Sequence, residues 1–278
     1  MADTLVVPVP EKVLASFVIA APRRLPSGLL PGALTQRDLI DLEPRVVLVG
    51  SDVEPMPELL EHLGCADCGP HCPPELLDRL READGFIVVL SMYGCGWPPL
   101  HVWTAASTAQ ALAIATGGIL IDPSILEVRP AGWEPLPLQA PWDFAVADWV
   151  KVICSVEPEG IWASTSGLAR FGLPELQVKE VPEALARPWC DVLQGLALVL
   201  LCGQWAALGE RPELAFREFP GAVTVTAAAV ESALGFEPSS GGGSAELVLA
   251  YDPGPPGEDS FLTVLTEGSH QAVIDALV

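Results

Sequence analysis

The sequence predicts an α+β protein built from two sheet-plus-helix halves packed together. Short apolar runs bounded by proline, glycine or charged residues recur along the chain and predict strands. Helical segments are mixed with them, without the strict alternation of a doubly wound sheet. A proline-rich stretch over residues 130–143, which contains Trp133 and Trp142, marks the division. The predicted halves are therefore residues 1–143 and residues 144–278.

Local signals predict the elements of the first half. The predicted strands are Val13–Ala20, Arg45–Gly50, Gly85–Ser91 and Gly118–Asp122. The predicted helices are Pro57–Leu63, Glu75–Ala83 and His101–Thr116. Pro73 and Pro74 suit the first turn of the second helix, because a missing N–H group leaves no helical hydrogen bond unmade there. Gly117 and Gly118 are expected to end the third helix.

The second half opens with a predicted hairpin, in which Asp148–Val156 and Gly160–Thr165 flank a Glu-Pro-Glu-Gly turn. Further strands are predicted over Glu175–Val181, Leu214–Phe219, Ala222–Thr226, Glu246–Tyr251 and Ser260–Thr266, the last two paired across a Pro/Gly-rich loop. The segment Pro182–Leu208 is the longest predicted helix. It is apolar on nearly every face, so we expect it to lie beneath other elements. Thr226 and Ser269 are predicted to begin short helices.

Charge limits the classes of partner. The chain carries 36 acidic and 14 basic residues, a formal net charge of −22. Both parts contribute equally: residues 1–150 hold 19 acidic and 8 basic groups, and residues 151–278 hold 17 and 6, so each stands at −11. Such a surface repels phosphate backbones and argues against nucleic-acid binding. It also keeps a protein soluble, and it steers a basic protein partner toward itself.

The cysteines and the hydropathy predict a cytoplasmic location. Seven unevenly clustered cysteines do not form an extracellular disulfide framework, and no basic start precedes an apolar run at the N-terminus. Gly85–Ile121 and Val192–Gly209 carry no charged residue. Glycines and prolines break the first stretch, and Gln194 and Gln204 interrupt the second. Both stretches are predicted to be buried core elements and not membrane spans.

The most unusual feature of the chain is a run of metal-binding residue types: Cys65, Cys68, His71 and Cys72 lie within eight positions. Thiolates and imidazole are zinc ligands, and zinc takes four of them in a tetrahedron. Cys65 and Cys68 have the spacing that lets two thiolates share one ion. The third ligand is His71 or Cys72, because adjacent side chains usually point apart.

The fourth zinc ligand is predicted to be Cys95, with His62 or His101 as alternatives. Such a site would be closed and structural, because thiolate-rich sites tend to be closed and no general base stands nearby. Two other interpretations stay open. Cys65 and Cys68 could form a redox dithiol, or the loop cysteines could stay reduced without a metal.

No complete catalytic signature is present. The chain lacks a Gly-x-Ser-x-Gly nucleophile elbow, and its run of three glycines lacks the lysine of a phosphate-binding loop. Cys154, Cys190 and Cys202 fall in apolar strand or helix contexts and are predicted to be core residues. The acidic residues Glu157 and Glu159 are predicted to be solvated.

Two stretches resemble a loosely defined group of uncharacterised bacterial proteins. Trp-Thr-Ala-Ala at residues 103–106 runs into Ala-Leu-Ala at 111–113 and Gly-Gly-Ile-Leu-Ile-Asp at 117–122, like an Ala-rich helix before a strand ending in Asp. Residues 166–176, Ser-Gly-Leu-Ala-Arg-Phe-Gly-Leu-Pro-Glu-Leu, are similar to the pattern Thr-x-Gly-Leu-x-x-Phe-Gly-x-Pro-Glu-Leu. Members are regarded as immunity or accessory proteins of toxin systems. The resemblance implies an α+β bacterial cytoplasmic protein, and it transfers no functional residue.

The sequence therefore predicts a non-enzymatic, acidic protein-binding module, such as an immunity-type inhibitor of a basic partner. One alternative is a zinc- or thiol-dependent enzyme centred on the cluster from Cys65 to Cys72. Another is a structural subunit of a larger assembly whose neighbours cover the apolar stretches.

Overall fold

The computed structural model describes residues 4–22, 45–49, 57–65, 72–133, 140–255, 259–266 and 269–277. Within these ranges the fold is mixed α+β, with six α-helices and three open sheets, so the predicted fold class is confirmed. The chain divides into two compact units. Unit 1 comprises Met1–Glu11, Cys95–Pro98 and Leu138–Val278, and unit 2 comprises Lys12–Gly94 and Pro99–Pro137.

The elements lie close to their predicted positions. The strands are β1 (Thr4–Pro8), β2 (Val13–Ala21), β3 (Arg45–Val49), β4 (Gly85–Tyr93), β5 (Ile119–Asp122), β6 (Glu127–Val128), β7 (Lys151–Glu157), β8 (Gly160–Ser166), β9 (Glu175–Val181), β10 (Phe216–Pro220), β11 (Ala222–Thr226), β12 (Ser244–Asp252) and β13 (Phe261–Leu265). The α-helices are α1 (Pro57–Gly64), α2 (Pro74–Arg81), α3 (Leu100–Thr116), α4 (Ala186–Glu210), α5 (Ala227–Ala233) and α6 (His270–Asp275). Strands β1 and β6 were not predicted.

Unit 2 is a five-stranded sheet with helices against it. The strand order is β3-β4-β2-β5-β6, and all neighbours are antiparallel. Leu63 of α1 and Leu80 of α2 belong to one hydrophobic cluster with Val18 of β2. Phe17, on the opposite face of the same strand, is also fully buried, and α3 contacts β2 and β4. Both faces of β2 are therefore buried, which explains its almost continuous apolar sequence.

A buried ion pair closes the turn after β5. Arg129 Nη2 donates a hydrogen bond of 2.9 Å to Asp122 Oδ2, and the Asp122 side chain is fully buried. Arg129 Nη1 lies 3.3 Å from Glu127 Oε2, and the guanidinium lies 4.5 Å from the centre of the Trp133 ring. Asp122 is the aspartate that ends the strand in the first resembling stretch. In this chain it supplies the counter-charge of a buried arginine.

Unit 1 is built on a six-stranded sheet with the order β11-β12-β13-β9-β8-β7. Neighbouring strands are antiparallel, except that β13 and β9 are parallel. The predicted hairpins β7–β8 and β12–β13 are confirmed. Strands β1 and β10 form a separate antiparallel pair, with Leu5 opposite Phe219. The N-terminal strand therefore belongs to the same unit as the C-terminal half of the chain.

Helix α4 is the core of unit 1, as its sequence predicts. It contacts β7, β8, β9, β11 and α5. Gly195 allows α5 to pack closely, because a Cβ there would come within 2.6 Å of the Val230 side chain. Gln194 Nε2 donates to the Val150 carbonyl at 2.8 Å, and Gln204 Nε2 donates to the Phe171 carbonyl at 2.9 Å.

Within the described ranges, the segment Glu183–Glu210 is the one helical stretch long and apolar enough to cross a membrane. In its most apolar window, 72% of the residues are buried inside the protein. A core helix passes the same test of length and composition, so burial and not hydropathy decides its class. The prediction of a buried core helix is confirmed.

A buried carboxylate orders the loop after β8. Glu175 Oε1 accepts hydrogen bonds from the Gly167 and Ala169 amides at 2.9 and 3.1 Å, and Glu175 Oε2 accepts one from Thr165 Oγ1 at 2.7 Å. Burial raises the pKa of Glu175 above its ordinary value, although these three hydrogen bonds lower it. The Pro-Glu-Leu end of the second resembling stretch therefore has a structural role in this chain.

We expect Asp122→Asn to lower the free energy of unfolding by about 3 kcal/mol, because the buried Arg129 guanidinium loses its fully buried counter-charge and keeps only the partly exposed Glu127. The exposed pair of Arg81 and Asp78, 3.4 Å apart, provides the matched control. Asp78→Asn should change stability by at most about 1 kcal/mol. Urea denaturation monitored by circular dichroism measures both. Equal losses in the two variants would contradict a stabilising role for the buried pair.

Candidate functional site

The predicted zinc cluster lies in unit 2, and part of it falls outside the described residues. This applies to Cys68 and His71. Cys65 follows α1 and Cys72 precedes α2, and both are half-buried. Cys72 packs against the hydrophobic cluster of that unit, and burial raises the pKa of its thiol.

The predicted fourth ligand, Cys95, belongs to unit 1, whereas Cys65 and Cys72 belong to unit 2. Cys95 Sγ donates a hydrogen bond to the Pro10 carbonyl at 3.3 Å, and burial raises its pKa to about 11. Of the residues whose placement is described, no three His, Cys, Asp or Glu are grouped so as to hold a metal ion. The zinc site stays a prediction.

The alternative zinc ligand His101 lies in the first turn of α3, where the sequence predicted a helix start. Its side chain is 1% exposed. His62 lies in the last turn of α1.

Two other cysteines meet at the edge of unit 1. Cys154 of β7 and Cys190 of α4 place their sulfur atoms 3.4 Å apart. Cys154 is exposed and Cys190 is half-buried, so the prediction that Cys154 is a core residue is wrong. The reason is its strand: β7 is at the edge of the sheet, where one side has no neighbouring strand. Cys202, by contrast, is buried as predicted.

The two thiols differ in acidity because they share a hydrogen bond. Either sulfur could donate this hydrogen bond; with the less exposed Cys190 as the donor, it lowers the pKa of Cys154 to about 7, against the smaller, opposite effect of burial. The same hydrogen bond raises the pKa of Cys190, and burial raises it further. Arg187 and Asp191, 3.5 Å apart on the same turn of α4, flank the pair. Because Cys154 is also the more exposed of the two, we expect it to ionise first.

An acidic cleft of about 270 Å³ lies at the closed end of the β7–β8 hairpin. Its lining residues are Glu157, Glu159, Gly160, Trp162, Lys179 and Glu180. Three glutamates and one lysine therefore line the same cleft as one indole. Trp162 Nε1 donates a hydrogen bond of 3.0 Å to Gln177 Oε1, which fixes the orientation of the ring. This arrangement has the parts of a site for a cationic side chain.

The backbone of β9 shapes this cleft. Ile161 pairs with Val181 but Ala163 pairs with Val178, so β9 carries an extra residue in a bulge. Glu180, in the bulge, has a φ of 59°, which is uncommon for a residue other than glycine. Gly160 lies against the backbone of this bulge. A Cβ at position 160 would lie 2.9 Å from the Glu180 carbonyl carbon, so a residue with a side chain would obstruct the bulge.

Neither of these sites is visible in the sequence. The Glu-Pro-Glu-Gly turn was predicted as a turn, but the bulge that adds Lys179 and Glu180 to the cleft has no local signature. Cys154 and Cys190 are 36 positions apart and belong to different elements. The alternation of side chains along β7 predicts which face of the sheet Cys154 is on, the face that it shares with Ala163 of β8. It does not predict that β7 is an edge strand.

No protein-family model, curated protein or solved structure matches this chain. Function is therefore inferred from the chemistry of the acidic cleft and of the thiol pair.

We expect Cys154 to react with iodoacetamide at a rate that rises with pH around a midpoint of about 7, because the thiolate is the reacting form. Cys190→Ala should move that midpoint up toward the ordinary thiol value, because alanine removes the hydrogen-bond donor beside the Cys154 sulfur. Cys95, with a pKa of about 11, should stay slow throughout neutral pH. Peptide mapping by mass spectrometry measures each cysteine. A midpoint for Cys154 that Cys190→Ala leaves unchanged would contradict the shared hydrogen bond.

Proposed function

We propose that the chain is an acidic protein-binding module whose cleft takes a lysine or arginine side chain of a basic partner protein. The observation that carries the proposal is that Glu157, Glu159 and Glu180 line one cleft together with Trp162. A cation over an indole gains about 0.5–2 kcal/mol, depending on how far it is desolvated. Carboxylates beside the ring add charge pairing and hydrogen bonds for the same group.

The charge of unit 1 supports a basic partner. Unit 1 holds 21 acidic and 6 basic residues, a net charge of −15, whereas unit 2 holds 15 and 8, a net charge of −7. Among the six basic residues, Arg170 is buried and Arg217 lies over the Phe219 ring at 4.4 Å. The negative groups of unit 1 are therefore only weakly offset at its surface. Such a field raises the association rate of a positive partner.

The proposal places the chain in the class of immunity or accessory proteins, acting in the cytoplasm on a basic protein. The resemblance of residues 166–176 to proteins of that class agrees with this proposal. A zinc ion at Cys65, Cys68 and one of His71 and Cys72 would have a structural role in unit 2. Binding at the cleft of unit 1 does not require it.

The test uses a fluorescein-labelled peptide of alternating arginine, glycine and serine as a basic probe, with binding followed by fluorescence anisotropy at low salt. Glu157→Gln with Glu159→Gln should raise the Kd about tenfold, which corresponds to about 1.4 kcal/mol. Glu210→Gln with Glu213→Gln is the matched control, because it removes the same charge from exposed positions of unit 1 outside the cleft. The control should raise the Kd less than about twofold.

Trp162→Leu gives a second comparison that leaves the charge unchanged. We expect it to weaken binding about threefold, because the aromatic face is lost. Equal weakening by the cleft pair and the control pair, together with no effect of Trp162→Leu, would show that binding follows net charge alone. That result, or no binding of the probe at low salt, would contradict a cleft for a basic side chain.

A further inference from the structure

We propose that Cys154 and Cys190 are a thiol–disulfide redox site, in which the two residues form a reversible disulfide with a low-molecular-weight disulfide of the glutathione class as oxidant. The proposal is independent of the acidic cleft. It rests on two sulfur atoms 3.4 Å apart at a surface edge of unit 1.

The geometry places the two sulfurs within reach of a bond. A disulfide joins its sulfurs at about 2 Å, so the pair must close by a little over 1 Å. The side chains that would have to rotate are Cys154, on an exposed edge strand, and Cys190, half-buried in the second turn of α4. The two elements already contact each other, and α4 is held against the sheet by the hydrogen bond from Gln194 to the Val150 carbonyl.

Disulfide formation takes two steps: Cys154 attacks the oxidant, and Cys190 then attacks Cys154. The Cys154 thiolate attacks one sulfur of the oxidant; a Cys154–S–S–R bond forms and the first RS⁻ leaves with the electron pair of the broken S–S bond. Cys190 then loses its proton to solvent, and its sulfur attacks Cys154 Sγ. The protein disulfide forms and the second RS⁻ leaves. The two protein thiols lose two electrons in total, and the oxidant gains them as two thiols.

The environment selects this pair over Cys95 and Cys202. Cys154 ionises near neutral pH and is exposed to the oxidant, as thiol–disulfide exchange requires. Burial raises the pKa of Cys202 to about 12, and Cys95 is held as a thiol by its hydrogen bond to Pro10 and by burial. Neither presents a thiolate at neutral pH. The first mixed disulfide is therefore expected on Cys154.

The consequence of oxidation is a covalent link between the edge strand β7 and α4. The bond joins positions 36 residues apart, which restricts the unfolded chain and raises resistance to unfolding. The same link fixes the strand that leads into Glu157 at the rim of the cleft. In the reduced state, only the hydrogen bond between the sulfurs connects these two side chains.

The experiment treats the full chain with glutathione disulfide, maps peptides by mass spectrometry, and measures the urea midpoint before and after reduction. We expect one Cys154–Cys190 crosslink, a higher urea midpoint in the oxidised protein, and return to the starting values with excess reduced glutathione. Cys190→Ser should accumulate the glutathione adduct on Cys154, at least about tenfold faster than Cys154→Ser accumulates it on Cys190. Cys202→Ser is the matched control and should leave the crosslink in place.

Three outcomes would overturn the proposal: a folded, oxidised protein without this crosslink, a crosslink that excess glutathione cannot reduce, or equal adduct rates in the two serine variants. Cys154→Ala serves as a second variant, so that a folding defect caused by serine on the edge strand is separated from a loss of thiol chemistry. Circular dichroism of each variant establishes that it is folded before treatment.

Discussion

The burial of helix α4 is the constraint on which unit 1 depends. The helix is apolar on nearly every face, so at a surface it would expose apolar side chains to water in any orientation. In the protein, the sheet and α5 cover it. Gln194 and Gln204 are buried within this helix, and each donates to a backbone carbonyl that would otherwise lose a partner. The rotation of the helix is thereby fixed, and with it the position of Cys190 beside β7.

Few charged side chains are buried in the described core of the protein. Among the described residues, four charged side chains are buried: Asp122, Arg129, Arg170 and Glu175. Two are acidic and two are basic, so their formal charges cancel. The net charge of −22 therefore resides outside the described core. A strongly negative surface and a filled apolar interior are compatible here because the buried carboxylates of the described core are few, and each is ion-paired or hydrogen-bonded.

Local signals in the sequence predict most of the elements, and non-local pairings explain what they miss. Thr226 and Ser269 were predicted to begin helices, and their hydroxyls accept hydrogen bonds from the Ala229 and Ala272 amides at 3.1 and 3.2 Å. Strand β1 was not predicted, because it forms by pairing with β10, which is more than 200 positions away in the sequence. The edge position of Cys154 likewise depends on strand order, which includes the parallel pair β13–β9 and leaves no local trace.

Amide hydrogen exchange along α4 tests most directly whether this helix is buried in the core of unit 1 in water. Every site described for unit 1 depends on that burial. We expect the amides between Gln194 and Gln204 to be among the slowest in the protein and to exchange only through global unfolding. Addition of lipid vesicles should leave these rates unchanged. Rapid exchange in buffer, or protection that develops only with vesicles, would contradict the account.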